Sequence, residues 1–303
     1  MPSRDWKWPD WLCVNFIDGR NLITRHRAQQ PALLQDVPES GFFLSAGGGV
    51  SSTNVGHQDV YAVGTSDVLS PTGILLSSGQ ADGPPVPVDM DTKSSLVPSF
   101  QAGYLSHFSN SRWLRGAKLS YTHPNAHATT RNALIPQFGS FTTVATGGTT
   151  SFTGNALILS AQTTVEHQVA LMPFIGRSFD KSMVYAGLGP TLSRMRTDEN
   201  GVIGFADVNG TRTDVSGAPQ NFSDSNWTYG IGATVGASYF LSRSWMLDVN
   251  HTYSQTKNQT AVFTGTFDNP NGLNGTNVIG TLDGTSRWSA NNQIFAFTIN
   301  KLF

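Results

Sequence analysis

The segment Gln293-Ile294-Phe295-Ala296-Phe297-Thr298-Ile299-Asn300-Lys301-Leu302-Phe303 decides the fold. Phe295, Phe297, Ile299 and Phe303 share one parity, while Ala296, Thr298 and Asn300 share the other. Side chains alternate faces along a strand, so the segment predicts a strand with one large apolar face and one small or polar face.

Working back from it, the same period recurs. Strand-like stretches are predicted at 41–54, 96–107, 113–122, 161–175, 183–195, 227–240 and 245–257. Phe42, Leu44 and Val50 define the apolar parity of the first, and Val165, His167, Val169, Leu171 and Ile175 that of the fourth. Ile231, Val235 and Tyr239 alternate with Gly230, Gly232 and Gly236 in the sixth, and Leu247 and Val249 with Asp248 and Asn250 in the seventh. Three connections are short: Ser109-Asn110-Ser111, Phe179-Asp180-Lys181-Ser182 and Leu241-Ser242-Arg243-Ser244. Four are long and rich in Gly, Ser, Thr and Asn: 55–95, 123–160, 196–226 and 258–287. Short and long alternate strictly. That regularity, with an even strand number, predicts an all-β, eight-stranded antiparallel up-and-down transmembrane β-barrel over 41–303. The long connections are expected to be mobile external loops. Residues 1–40 are expected to form an irregular or poorly ordered N-terminal extension.

The direction of each face follows from the residue types. A soluble barrel of this kind would present a Gly, Ser and Thr exterior with few charges, which makes a poor aqueous surface. With the sheet turned inside out, Val169, Leu171, Val235, Leu247, Val249, Phe295, Phe297 and Ile299 face lipid. Lys118, Glu166 and Asp248 then fall in the lumen on neighbouring or nearby strands. Buried charges must be paired, so at least two of these three are expected to share a hydrogen-bonded network. Aromatics cluster at the strand ends, with Phe42, Phe108, Trp113, Phe179, Tyr239, Trp245 and Phe303 on the short-turn side. Tyr121, Trp227, Tyr229, Tyr253 and Trp288 gather on the long-loop side. Two such belts suit two membrane interfaces.

Composition agrees with this reading. The 303 residues carry 19 Lys+Arg against 20 Asp+Glu, which removes the basic excess that nucleic-acid binding wants. Charged residues make up 13%, about half the share of an ordinary soluble domain. A single cysteine, Cys13, excludes a disulfide framework. No run approaches the roughly 18 apolar residues of a membrane helix. The amino end shows no legible secretory signal: 11–17 is short, broken by Asn15 and followed by Asp18, Arg20, Arg25 and Arg27.

The layout, the segment from Trp227 to Leu241 and the terminal Phe297-Thr298-Ile299-Asn300-Lys301-Leu302-Phe303 together resemble the opacity-type and OmpA-like eight-stranded outer-membrane barrels of Gram-negative bacteria. The resemblance covers most of the chain. It implies residence in the bacterial outer membrane and a structural, surface-antigen or adhesive role carried by the external loops. It also implies contact with outer-membrane lipid and lipopolysaccharide, a monomer, and a C-terminal Phe303 read by the barrel assembly machinery. A host or surface ligand would be held by the loops. Such barrels are sometimes described as porins.

Little in the sequence suggests chemistry. His107-Phe108-Ser109-Asn110 resembles a segment of outer-membrane lipid A deacylases, but it lies at the short-turn rim with no carboxylate placed to orient His107. His123 and His127 sit on an expected loop, not on a helix face. Asp198, Glu199, Asp207, Asn209 and Asp214 would be ordinary solvated turn residues or, at best, weak Ca²⁺ ligands. The expectation is a non-enzyme without cofactor or metal. The alternatives are a soluble lipocalin-like barrel and a lipid A-modifying enzyme.

Overall fold

A computed structural model describes residues 37–303, apart from Asn209. The expected extension at 1–40 falls almost wholly outside the described residues, as do Cys13 and the tryptophans near the N-terminus.

The described residues form strands almost throughout. They are β1 (Ser40–Asn54), β2 (His57–Leu69), β3 (Leu75–Asp82), β4 (Val86–Asp89), β5 (Asp91–His107), β6 (Trp113–Thr122), β7 (Ala126–Thr143) and β8 (Thr149–Ser178). They continue as β9 (Ser182–Val208), β10 (Thr211–Asp214), β11 (Gln220–Ser242), β12 (Trp245–Thr256), β13 (Gln259–Asn269), β14 (Asn277–Trp288) and β15 (Asn291–Leu302). Every pairing is antiparallel.

One set of pairings returns to its start. β1 pairs with β5, β5 with β6, β6 with β8, and β8 with β9. β9 then pairs with β11, β11 with β12, β12 with β15, and β15 with β1. The last step runs from Phe43 opposite Leu302 to Asn54 opposite Asn291, so the terminal segment meets the first strand along nearly its whole length. These members occupy the stretches that parity predicts. No member of the ring is left with an unpaired edge, which is what a strand row needs where water cannot satisfy the backbone.

The long connections differ from expectation. They are strands, not irregular loops. β2, β3 and β4 fill 55–95; β7 and the first half of β8 fill 123–160; the far ends of β9 and β11, with β10, fill 196–226; β13 and β14 fill 258–287. Their Gly, Ser and Pro content reads as loop, yet Thr, Val and Phe at period two within them favour a pleated chain. They pair in a second series, β9–β8–β7–β3–β2–β14–β13, with β4 also on β2 and β10 on β9. β13 and β11 meet through side chains: Gln220 Nε2 donates to the Thr266 carbonyl at 3.2 Å, and the Phe222 and Phe263 rings lie 5.7 Å apart. The strand ring thus continues into a β-rich extension beyond the long-connection end.

The two storeys differ in how they are filled. In the ring the outward residues are large and apolar, including Leu44, Leu119, Leu171, Leu188, Val235 and Phe297, each about half exposed. Between the level of Arg115, Arg177 and Lys301 and the level of Arg194, no Asp, Glu, Lys or Arg stands on the outer face of a ring strand. In the extension one apolar set points inward, as Val60, Ile135, Ile158, Ala161, Val202 and Leu282 do, while Leu134, Phe138, Leu159 and Val262 stand exposed outside. Arg131, Asp59, Asp89 and Asp207 are exposed outside. On β8 a bulge performs the change. The register against β9 shifts between Val165 and His167, so the buried side passes from even-numbered residues at 168–178 to odd-numbered residues at 161–165. From Ile158 to Gly154 the even-numbered residues are buried again. Val165 is therefore buried inside, contrary to its expected outward face, while His167 and Val169 remain outside.

Candidate functional site: the filled lumen and the outer apolar band

At the short-turn end the lumen is closed by Phe43, Leu105, Leu114, Phe174, Met183, Phe240, Met246 and Leu302, all buried in one cluster. Above it lies the charged layer. Lys118 and Asp248 are each only 3% exposed. They stand on β6 and β12, four places apart in the ring and hence across the lumen, not on neighbouring or nearby strands as the sequence suggests. Tyr185 of β9 bridges them. Lys118 Nζ donates to Tyr185 Oη at 3.0 Å, and Tyr185 Oη donates to both Asp248 carboxylate oxygens at 3.0 Å. Ser238 Oγ donates to Asp248 Oδ1 at 2.6 Å, and Asn250 Nδ2 to Asp248 Oδ2 at 2.7 Å. The carboxylate thus accepts hydrogen bonds from three residues, and the ammonium also lies 4.9 Å from the Tyr185 ring centre. The ring fits because position 236 is glycine: a Cβ there would sit 2.4 Å from Tyr185 Cζ. The hollow left among Lys118, Tyr185, Asp248 and Asn300 is about 10 Å³, roughly the space of one water at most.

Glu166 does not join this layer. It is the extra residue of the β8 bulge and pairs with Arg194 at 3.2 Å, both side chains being partly exposed. A one-residue insertion is not visible in an alternating pattern that simply changes phase. Tyr185 was missed for a different reason. Its parity is that of Gly187, Gly189, Thr191 and Ser193, the small and polar set, and that parity was the available signal for an inward tyrosine.

A second polar layer follows. Gln168 Nε2 donates to Ser254 Oγ at 2.7 Å, Asn292 Nδ2 to Gln168 Oε1 at 2.6 Å, and Ser51 and Thr53 to Asn292 Oδ1. Above this come the buried Val55, Met90, Val165, Met195, Phe263 and Trp288. Trp288 is 5% exposed and inward-facing, so it does not belong to an interfacial belt as expected. The layer beyond it links Thr163 to Gln58 and to Thr197 at 3.1 Å each, with Gln58 also donating to Ser286. The lumen is thus filled by apolar clusters and hydrogen-bonded layers.

Outside, Leu171, Val235, Phe295, Phe297 and Ile299 are 47–56% exposed, and Val169, Leu247 and Val249 are half-buried between neighbours on the same face. Cations pack on aromatics at the short-turn rim: Lys301 lies 5.0 Å from the Trp245 ring centre, Arg115 5.2 Å from Phe108, and Arg177 6.0 Å from Trp113. Phe303 is 73% exposed, and its backbone N–H donates to the Phe42 carbonyl at 2.9 Å. At the other rim Tyr121, His123, His167 and Trp227 form a contiguous aromatic row.

The catalytic candidate is built differently from a relay. His107 Nε2 lies 2.9 Å from Ser178 Oγ, and Ser178 is only 1% exposed. His107 Nδ1 meets the Pro38 carbonyl at 3.1 Å, where a relay would place a carboxylate. Among the described residues no three His, Cys, Asp or Glu side chains converge as metal ligands. Asp198 pairs with Arg196 at 2.8 Å, and Asp214 Oδ1 accepts the N–H groups of Ser216 and Gly217.

No family model and no curated protein sequence matches the chain. Among solved structures it is similar to the outer membrane protein OprG of Pseudomonas aeruginosa, with 11% identity and a TM-score of 0.35, covering 88% of this chain and 98% of that one. It is also similar to Ail, the attachment invasion locus protein of Yersinia pestis, with 12% identity and a TM-score of 0.25, covering 78% and 99%. For Neisserial surface protein A the identity is 11% and the TM-score 0.25, covering 84% and 96%.

Proposed function

We propose that the chain is an eight-stranded transmembrane β-barrel of a bacterial outer membrane, and that its ring is an anchor, not a channel. One observation carries the reading: a ring of strands closed by backbone pairing turns large apolar side chains outward in a band without charges, and holds Lys118 and Asp248 inside. Only a closed barrel satisfies every backbone group in lipid, and an outward apolar band flanked by aromatics is the surface that a bilayer requires. In water the same band would be a very large exposed apolar patch. That argues against a soluble lipocalin-like barrel.

The filled lumen supports an anchor over a pore. The work of such a protein falls to the β-rich extension, which displays exposed residues from β2, β7, β9 and β13 on a paired framework. This favours a structural or surface-recognition role, adhesive or antigenic, over catalysis or passive transport. In this reading Phe303, exposed at the short-turn rim, serves as the assembly signal. The test is the folded, unheated chain in native membranes and in planar bilayers. The reading expects recovery with outer-membrane fractions, heat-modifiable gel migration and no steady conductance. Detergent-free solubility of the folded chain would overturn the membrane reading, and steady conductance would overturn the anchor.

A further inference from the structure

Beyond that reading, we propose that the far end of the β-extension holds a binding chamber for a small uncharged apolar molecule, of about the size of a fused two-ring aromatic. The chamber has a volume of about 230 Å³. Its walls include Phe141 of β7, Phe152 of β8, Phe205 of β9, Phe267 of β13, and Val278 and Leu282 of β14. An apolar protein cavity of about 150 Å³ stays dry and takes up benzene, so a larger one with aromatic walls suits a ligand somewhat bigger than one ring.

The walls are fixed by the strand framework. Phe152 stands opposite Gly139 in the β7–β8 register, and a Cβ at Gly139 would lie 2.4 Å from Phe152 Cζ. The glycine therefore lets the ring lie across β7, where its centre is 6.3 Å from that of Phe141. Phe205 is held from its other face by the Arg212 guanidinium, 4.2 Å from the ring centre. Four aromatic rings on four strands give a chamber that exists before its ligand arrives, so little ordering cost opposes binding.

The electrostatics select the ligand's charge. Among the described residues no Lys, Arg or His lines the chamber, and the one charged residue that does is Asp214. The Asp214 carboxylate already accepts backbone N–H groups from Ser216 at 3.0 Å and Gly217 at 2.9 Å. A carboxylate or sulfonate entering here would lose its hydration with no counter-ion to replace it. Thr213, Asp214 and Gly272 also border an adjoining polar hollow that includes Arg212, Asn269 and Asn271, so the apolar chamber adjoins a hydrophilic one.

The test uses the whole chain in lipid nanodiscs, dialysed to equilibrium against naphthalene or naphthalene-2-sulfonate, with empty nanodiscs measuring partition into lipid. Naphthalene should be retained at about one equivalent per chain above the empty discs, and the sulfonate at least about ten-fold more weakly. Ala156→Phe, which fills the chamber floor, should weaken naphthalene retention at least about ten-fold. Phe152→Ala should shift preference towards anthracene. Heat-modifiable migration and protease resistance of each variant report folding. If Ala156→Phe fails that check, Ser77→Phe at the chamber wall takes its place. Naphthalene retention no greater than in empty discs, equal retention of the sulfonate, or unchanged retention in a folded filled variant would each overturn the proposal.

Discussion

Tyr185 is the residue on which the charges of the lumen depend. Lys118 and Asp248 stand on opposite sides of the ring, and the phenol between them donates to one and accepts from the other. Removing one partner of a buried charge pair strands the other, at a cost of about 3–5 kcal/mol. Asp248→Ala is therefore expected to lower the unfolding free energy of the bilayer-folded chain, read by urea titration, by an amount in that range. Tyr185→Phe removes only the bridge and should cost less, about 1–3 kcal/mol. In the extension, Glu199 is 4% exposed, and burial pushes its carboxyl up to about 7 against the pull of the Ser286 hydroxyl. A carboxyl raised above its ordinary 4.5 favours the folded state most when protonated. Stability of the extension should be greatest below about pH 4.5, fall as pH rises from there to about 7, and level off above it, the whole loss being about 3 kcal/mol. Hydrogen exchange of β9 and β14 amides between pH 5 and 8 would display this slope, and Glu199→Gln should flatten it.

At the scale of the element, the bulge on β8 lets one strand turn opposite parities inward on either side of it. Below it the strand turns Val169, Leu171 and Ile175 outward; above it the same chain turns Val165, Thr163 and Ala161 inward. Deleting Glu166 removes the extra residue and sends the upper half of β8 to the wrong face, because a one-residue slip reverses every side chain. That deletion should abolish protease resistance of the extension. Glu166→Ala, which keeps the residue count, should leave it intact.

These elements also show what could be read from the amino acids. The ring strands were legible because large and small residues mostly alternate, as in 295–300 and 227–232. The outward placement of Phe297 and Val235 followed from the same contrast. The extension was not legible as structure, since Gly, Ser, Pro and Thr in 55–95 and 258–287 score as loop until pairing partners are known. The bulge was hidden because Val165 continues the apparent rhythm of 167–175. Tyr185 escaped notice because a bulky residue among glycines reads as an exception to the parity it obeys. The aromatic chamber joins residues from 141 to 282 that only the strand pairing brings together.

At the scale of the whole molecule, two differently filled storeys share continuous strands. The lower one turns its large apolar side chains outward, and the upper one encloses an apolar cluster. A charge placed on the lower exterior should behave as a charge in hydrocarbon. Leu188→Lys, in the middle of the outward face of β9, is expected to destabilise bilayer-folded chain by about 2–4 kcal/mol. Thr150→Lys, on the exposed face of the extension, should change stability by no more than about 0.5 kcal/mol. Equal effects at the two sites, in parallel urea titrations, would mean that both surfaces meet the same solvent.

The most direct measurement of the central claim is spin-label accessibility in lipid vesicles. Nitroxides would be placed singly at Val235, Leu247, Phe297 and Ile299, and at the alternate positions Thr234 and Thr298, in a Cys13→Ser background. The account predicts that labels at the first four positions collide readily with oxygen dissolved in the acyl chains and scarcely with a water-soluble nickel chelate. Labels at Thr234 and Thr298 should be shielded from both. Free collision of the first four with the nickel chelate would contradict the account, because those side chains would then face water.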